Sequence, residues 1–356
     1  MRVALIGPPF SGKTTLFQAV AEAGGSKPDV SRADQSHLAV VKVPDSRLDW
    51  LGQIYSPKKL SPAELEFIDL PGLDLTDEAG RAKSRQHWAA MHQADMIVMV
   101  VRSFKDDSVS AYRNRVDAVS DAGELQAEML FADLDQVINR IDRLQAQLKK
   151  PANHDATQRE LDLMHRLRDA LENERPIRSA VKNADEEKAI RSFAFLSLKP
   201  QLVVINCGED QASEPAPQEV ASLEALQLSA RIEHELAQLS AEDRTAFMAD
   251  LGLQSVARDR LIRACYQKLE LVSMFTAGED ECKAWTIPAG TDAVTAAAEI
   301  HSDIARGFIR AETMGYDDFF AARGDTKVVK AAGKLRLEGK QYVVKDGDII
   351  NFRFNV

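Results

Sequence analysis

Short apolar runs separated by longer amphipathic stretches set the plan of this chain. Arg2-Val3-Ala4-Leu5-Ile6 reads as a buried strand, and Thr15-Leu16-Phe17-Gln18-Ala19-Val20 carries its apolar positions at helical spacing. Glu64-Leu65-Glu66-Phe67-Ile68-Asp69 predicts a second core strand, and Met96-Ile97-Val98-Met99-Val100-Val101 a third. Leu202-Val203-Val204-Ile205, after Pro200, predicts a fourth, and Leu226-Gln227-Leu228 a fifth. Helical stretches lie between them. Such alternation predicts an α/β fold with a mostly parallel sheet.

Between the third and fourth strands the period changes. Leu130, Leu134, Val137, Ile141, Leu144 and Leu148 fall alternately four and three residues apart, a heptad seam. Pro151-Ala152-Asn153-His154-Asp155 is expected to break that helix, and Met164, Leu167 and Leu171 give a second stripe before Pro176. The pattern predicts an antiparallel helical hairpin, a coiled coil inserted into the α/β domain; two ordinary helices packed on the sheet are the alternative. From about Phe275 a small α+β module is expected. Lys283–Ile287 reads as a strand and Ala293–Ile300 as a helix. Gln341–Phe354 reads as two strands around the Asp346-Gly347 turn. The expected domains are 1–120 with 195–274, an insertion at 121–194, and 275–356.

Composition narrows the class. A chain of 356 residues is long enough for two or three domains. Its net charge of −10 argues against wrapping nucleic acid with the whole surface, and no DNA sequence specificity is expected. Cys207, Cys265 and Cys282 lack metal-ligand or disulfide spacing, which fits a reducing compartment. The apolar N-terminus is too short for a signal peptide, and no run has the length of a membrane span. A cytoplasmic protein with no membrane partner is expected.

The turn after the first strand carries the most specific chemistry. Gly7-Pro8-Pro9-Phe10-Ser11-Gly12-Lys13-Thr14, followed by Thr15, has the spacing of a phosphate-binding loop between strand and helix. Gly7 and Gly12 permit backbone angles that let successive N–H groups converge on an anion. The helix N-terminus adds unpaired N–H groups and partial positive charge. Lys13, expected to face solvent without ligand, would reach the β- and γ-phosphates, and the Thr14 hydroxyl would ligate Mg²⁺. Asp69 ends a strand and opens Asp-Leu-Pro-Gly, where a carboxylate holds Mg²⁺, usually through water, while the Gly72 N–H approaches the γ-phosphate.

Asn206-Cys207-Gly208-Glu209 follows the fourth strand where a GTPase would carry Asn-Lys-x-Asp. The aspartate of that motif accepts from guanine N1–H and the 2-amino group, donors that adenine lacks. Here Cys207 and Glu209 replace the lysine and aspartate, so ATP is expected over GTP, with the Asn206 amide free to meet the adenine edge. Ser229-Ala230, after the fifth strand, is placed to close over the base. Leu73 occupies the position of the water-orienting glutamine of many GTPases and cannot hydrogen-bond water, so no catalytic residue is assigned.

Several segments together resemble the YchF/Obg-like ATPase family. They include Pro44-Asp45-Ser46-Arg47-Leu48-Asp49, Glu66–Leu73, Val100-Val101-Arg102-Ser103-Phe104 and Leu196-Ser197-Leu198-Lys199-Pro200. In the C-terminal stretch, Phe275–Gly278, Ala284–Pro288, Gly307–Ala311 and Val344–Asp348 stand almost as in the family. The resemblance implies a P-loop nucleotide-binding domain with an inserted coiled coil, an ubiquitin-like TGS (β-grasp) domain, and Mg²⁺ with ATP or GTP as cofactors. It also implies an Asn-x-x-Glu in place of the guanine-reading motif, and a ribosome or other RNA-containing partner. Arg323, Lys327, Lys330, Lys334, Arg336 and Lys340 would face that partner or form a solvated charged face.

Three departures weaken the catalytic resemblance. Lys105–Tyr112 holds no histidine where the family has one proposed to assist hydrolysis. Ala33 stands where a switch threonine is expected, with Asp34 or Ser36 as substitutes. Asp74–Gly80 replaces a glycine-rich segment. The leading expectation is therefore a nucleotide-gated binding protein with slow hydrolysis. A non-hydrolysing nucleotide sensor with degenerate switch regions is the alternative, and a small-molecule kinase a more distant one.

Overall fold

The computed structural model describes residues 1–149, 154–215, 217–253 and 255–355. Its strands are β1 (Arg2–Ile6), β2 (His37–Lys42), β3 (Lys59–Ser61), β4 (Glu64–Asp69), β5 (Met96–Arg102), β6 (Gln201–Asn206), β7 (Glu219–Val220), β8 (Leu223–Leu228), β9 (Leu271–Thr276), β10 (Glu281–Pro288), β11 (Phe308–Gly315), β12 (Arg336–Glu338) and β13 (Asp348–Phe354). They form two sheets, in two compact units.

The first unit comprises Met1–Ala39 and Glu66–Arg258. Its sheet has the order β2-β4-β1-β5-β6-β8-β7, and β4, β1, β5, β6 and β8 run parallel to their neighbours in this set. A parallel strand covered on both faces must be apolar throughout, and β5 and β6 are buried at every position. The register matters for function. Leu5 pairs with Asp69, Ile6 with Met99, Arg102 with Asn206 and Asn206 with Leu228. Parallel pairing therefore delivers the loops after β1, β4, β5, β6 and β8 to one edge, the carboxyl ends of the strands, where ligands bind in such folds.

The expected hairpin is formed by helices Ala118–Leu148 and His154–Glu172. The Pro151–Asn153 part of the expected break lies outside the described residues; His154 and Asp155 already belong to the second helix. The long helix serves two cores. Ala122, Leu125 and Met129 pack into the sheet cluster, whereas Val137, Ile141 and Leu144 meet Leu161, Met164, Leu167 and Leu171. At the junction, Asp133 is fully buried and accepts the N–H groups of Leu196 and Ser197, at 2.8 Å each. Lys199 Nζ donates to the carbonyls of His92 (2.9 Å) and Ala94 (2.5 Å). The Leu-Ser-Leu-Lys-Pro segment is thus the brace that returns the chain from hairpin to sheet.

The second unit comprises Val40–Leu65 and Asp259–Val356. This division differs from the expected one, which kept all of 1–120 in one domain and began the last domain at 275. The cause is packing between segments remote in sequence. Trp50, on helix Ser46–Tyr55, meets the rings of Tyr316, Phe319 and Phe320 at 5.0–5.7 Å. Arg47 bridges Asp45 and Asp346, and β3 pairs with β10. The sheet order is β12-β11-β13-β9-β10-β3, with helix Ala293–Ile300 contributing Ala293, Ala296 and Ala297 to the core beside Met274, Ile287, Ile350 and Phe352.

One expected hairpin is absent. Only β13 forms from Gln341–Phe354. Both edges of β13 are taken, by β11 antiparallel and β9 parallel, so the preceding segment has no free edge. It bonds instead to the turn before the helix: Val343 bridges Asp292, and the Val344 N–H donates to Thr291 O at 3.0 Å. Arg336, expected in the basic face, is committed inside the unit to Glu338, Tyr342 and Asp348, and Lys334 lies 3.6 Å from Asp318.

Candidate nucleotide site

The loop after β1 is built so tightly that its glycines are obligatory. A Cβ on Gly7 would stand 2.2 Å from the Val100 carbonyl oxygen, and one on Gly12 would stand 2.1 Å from Asn206 Nδ2. Gly12 also has φ +84°, in the left-handed region that a side chain disfavours, and immediately precedes helix Lys13–Ala23. Gly72 approaches the loop from β4, where an added Cβ would meet Pro9 Cα at 2.9 Å. The Leu73 N–H donates to Gly7 O at 2.9 Å, fastening the two loops together.

Lys13 is buried, 8% exposed, which corrects the expectation that it faces solvent. Burial lowers its pKa, and the nearby Asp69 charge opposes that shift. Asp69 is 2% exposed; burial raises its pKa against the pull of Lys13 and the Thr14 hydroxyl. Thr14 Oγ1 donates to Asp69 Oδ2 at 2.7 Å. Asp69 Oδ1 and Ser11 Oγ are buried without hydrogen-bond partners. An orphaned carboxylate oxygen is costly, by about 1–3 kcal/mol or more, unless something else meets it. A divalent cation fits this set: one free carboxylate oxygen, one hydroxyl, and an ammonium that neutralises phosphate beside it. Among the described residues no group of three or more His, Cys, Asp or Glu side chains could hold a metal, so any cation here needs the hydroxyl and ligand oxygens as well.

The structure places a different residue at Asp69 from those expected. Ala33, Asp34 and Ser36 are all exposed. His37, at the start of β2, instead brings Nδ1 to 3.6 Å from Asp69 Oδ2. His87 is a second nearby histidine; burial lowers its pKa, with Lys83 and Lys13 acting in the same direction. Leu73 and Leu75 are buried in the sheet core. The segment after them is ordered by the Thr76 N–H to Asp74 and by the Asp77 cap of helix Glu78–Ser84.

Beside the loop opens a cavity of about 690 Å³, lined by Phe10, Gly12 and Thr15, the Ser103–Asp106 loop, Asn206–Gln211 and Ser229–Arg231. Its floor is Asn206, and here the expected role changes. The Asn206 amide donates Nδ2–H to Ser11 O and accepts the Ala230 N–H at Oδ1, each at 2.9 Å. One bond at each end makes Asn206 a clamp between the phosphate loop and the β8 loop, with one N–H and one lone pair left over at the cavity it lines. The same bond occupies the Ala230 N–H that was expected to close over the base, and Ser229 Oγ caps the following helix at Ile232. Cys207 is buried, its thiol pushed up to about 11 by burial. Glu209 is an exposed polar group on the cavity wall, 3.2 Å from Arg231 Nε.

Arg102 was missed as a site residue. Buried at the end of β5, it donates to the carbonyls of Phe104, Asp106, Val109 and Ser110 and stacks on Phe104 at 4.3 Å. One side chain therefore shapes the whole Ser103–Ser110 wall. Phe10, with φ +61° and 61% exposed, flanks the cavity on the loop side.

A phosphate-binding loop, an Asp-x-Pro-Gly carboxylate and a base-sized cavity on the carboxyl edge of a parallel sheet define a P-loop NTPase. The family profile described as "50S ribosome-binding GTPase" matches residues 2–132, and a YchF GTPase C-terminal profile, described as a protein of unknown function, matches 271–355. The chain is 38% identical to the protein named ribosome-binding ATPase YchF of Bacillus subtilis, over 100% of both chains. It is 37% identical to that of Escherichia coli O157:H7, over 100% of this chain and 99% of the relative. Among solved structures, the Schizosaccharomyces pombe YchF GTPase superposes with a TM-score of 0.87 at 27% identity, over 99% of this chain and 97% of that one. A GTP binding protein from Pyrococcus horikoshii shares the fold, with a TM-score of 0.61 at 16% identity over the whole of both chains. The chain belongs to the YchF family.

Proposed function

We propose that this protein is a ribosome-binding ATPase whose bound nucleotide sets its affinity for the ribosome. The observation that carries the nucleotide part is the orphaned Asp69 Oδ1 beside the Thr14 hydroxyl and the buried Lys13. The ribosome part rests on the names of full-length relatives. In this reading the backbone N–H groups of 7–14 and the Lys13 ammonium bind the phosphates, and Thr14 and Asp69 hold Mg²⁺, which supplies charge neutralisation at the transferred phosphoryl group. Gly72 lets the β4 loop approach the γ-phosphate. The cavity takes the base, with Glu209 on its wall and no lysine at Cys207, a set that favours adenine over guanine. Asn206 and Arg102 position the loops around the cavity.

Hydrolysis in the isolated protein is slow, because Leu73 is buried in the core and offers nothing to orient water. The γ-phosphate would act by drawing in the Gly72 loop, and only a ligand with different affinities for two arrangements can shift them. Calorimetry with ATP and GTP in Mg²⁺ tests the site: tighter ATP binding is expected, and a preference for GTP would place the protein among ordinary GTPases.

A further inference from the structure

His37 has no place in the site as built so far, yet it faces the metal-binding carboxylate. Its side chain is nine-tenths buried, 10% exposed, and Asp69's is 3% exposed. His37 Nδ1 lies 3.6 Å from Asp69 Oδ2 and has no hydrogen-bond partner, and Asp69 Oδ1 has none either. The imidazole is seated against Phe17 of the helix after the phosphate loop, with ring centroids 6.4 Å apart. A neutral imidazole lone pair facing a carboxylate in a buried site is repulsive unless a cation lies between them. Adjacent ligands at about 2.1 Å from an octahedral ion stand about 3 Å apart, so His37 Nδ1, 3.6 Å from Asp69 Oδ2, would have to close on the carboxylate to share an ion with it.

We infer that His37 is a nitrogen ligand of the divalent cation held at Thr14 and Asp69, and that it shifts the site's preference from Mg²⁺ toward Mn²⁺. This rests on the nucleotide site proposed above. Mg²⁺ favours an all-oxygen shell, whereas imidazole suits the later first-row ions. The remaining ligands are the Thr14 hydroxyl, phosphate oxygens and water, all compatible with either ion. His37 lies on β2, and the loop before it (Ser31–Ser36) is exposed. Coordination at His37 would therefore tie β2 directly to the nucleotide's metal, a contact that the exposed Ala33 cannot make.

The test is pulsed electron paramagnetic resonance on the full-length protein loaded with Mn²⁺ and ADP. A ¹⁴N modulation is expected, and protein grown with ¹⁵N-histidine must convert it to the ¹⁵N pattern, which separates imidazole from adenine nitrogen. His37→Asn, checked for folding by its melting curve, should lose the signal. Its Mn²⁺-over-Mg²⁺ affinity ratio should fall by about tenfold, the scale on which losing one partner weakens a metal site. Mn²⁺ and ADP bound without histidine nitrogen coupling would overturn the inference alone and leave a proton between His37 and Asp69 as the remaining account. Failure of Mn²⁺ and ADP to bind at all would overturn both this inference and the nucleotide site.

Discussion

Replacing Lys13 with alanine removes the one ammonium in the phosphate loop. Lys13 is buried, and burial has already lowered its pKa, so it meets a phosphate with much of its water gone. A charge-assisted hydrogen bond is worth about 1.5–3 kcal/mol. At about 1.4 kcal/mol per decade, the loss for ATP is roughly 10- to 150-fold. Adenosine, which lacks phosphates, should bind the variant as it binds the native protein. Titration calorimetry with ATP, ADP and adenosine, on a variant whose near-ultraviolet circular dichroism matches the native protein, reads all three. ATP affinity unchanged in such a variant would refute the reasoning, because the loop would then hold no phosphate.

Cys207→Lys combined with Glu209→Asp should move base preference toward GTP by up to a few kcal/mol, measured by competition binding; no movement would mean that the cavity beside Asn206 does not read the base. Single-turnover hydrolysis by the pure protein should stay below about 1 s⁻¹, and Leu73→Gln should not raise it, since position 73 is buried; a faster rate would reveal an unrecognised catalytic group. Asp121, buried near Arg115, has its carboxyl pushed up to about 6 by desolvation. A carboxyl raised in the folded state binds more protons there than in the unfolded chain, so its contribution is most favourable below about pH 4 and is lost as pH rises through 6. Asp121→Asn should therefore raise the melting temperature at pH 7.5, by a gain of about 1–2 kcal/mol, and change little at pH 4; a lower melting temperature at pH 7.5 would show that the Arg115 pair outweighs burial.

The strand–loop–helix at the N-terminus was legible because a parallel core strand is apolar at every position and the loop's glycines have fixed spacing. Asp69 was legible for the same reason, standing where β4 ends. What escaped is non-local. The sequence motif singles out Asn206, but its partners Ser11 and Ala230 are set by the register of three strands, and that register gives the amide a clamping role that the motif does not show. His37 hid in a stretch read for a missing threonine, because its contact with Asp69 depends on β2 joining the sheet beside β4. The domain boundary failed where Trp50 packs on Tyr316, Phe319 and Phe320, contacts that no local pattern announces. The heptad seam was read correctly, but the seam alone could not say that the first turns of the same helix belong to the sheet core.

Whether nucleotide state governs ribosome binding is read by co-sedimentation with ribosomes in ATP and in ADP. A salt series belongs in the same experiment, with a variant in which the exposed Lys327, Lys330 and Lys340 are neutralised. Each lost phosphate contact removes a released counterion, so the variant should bind RNA more weakly and with a flatter salt dependence. Ribosome affinity should differ between the two nucleotides. Binding that is absent in both, or equal in both and indifferent to the lysines, would contradict it.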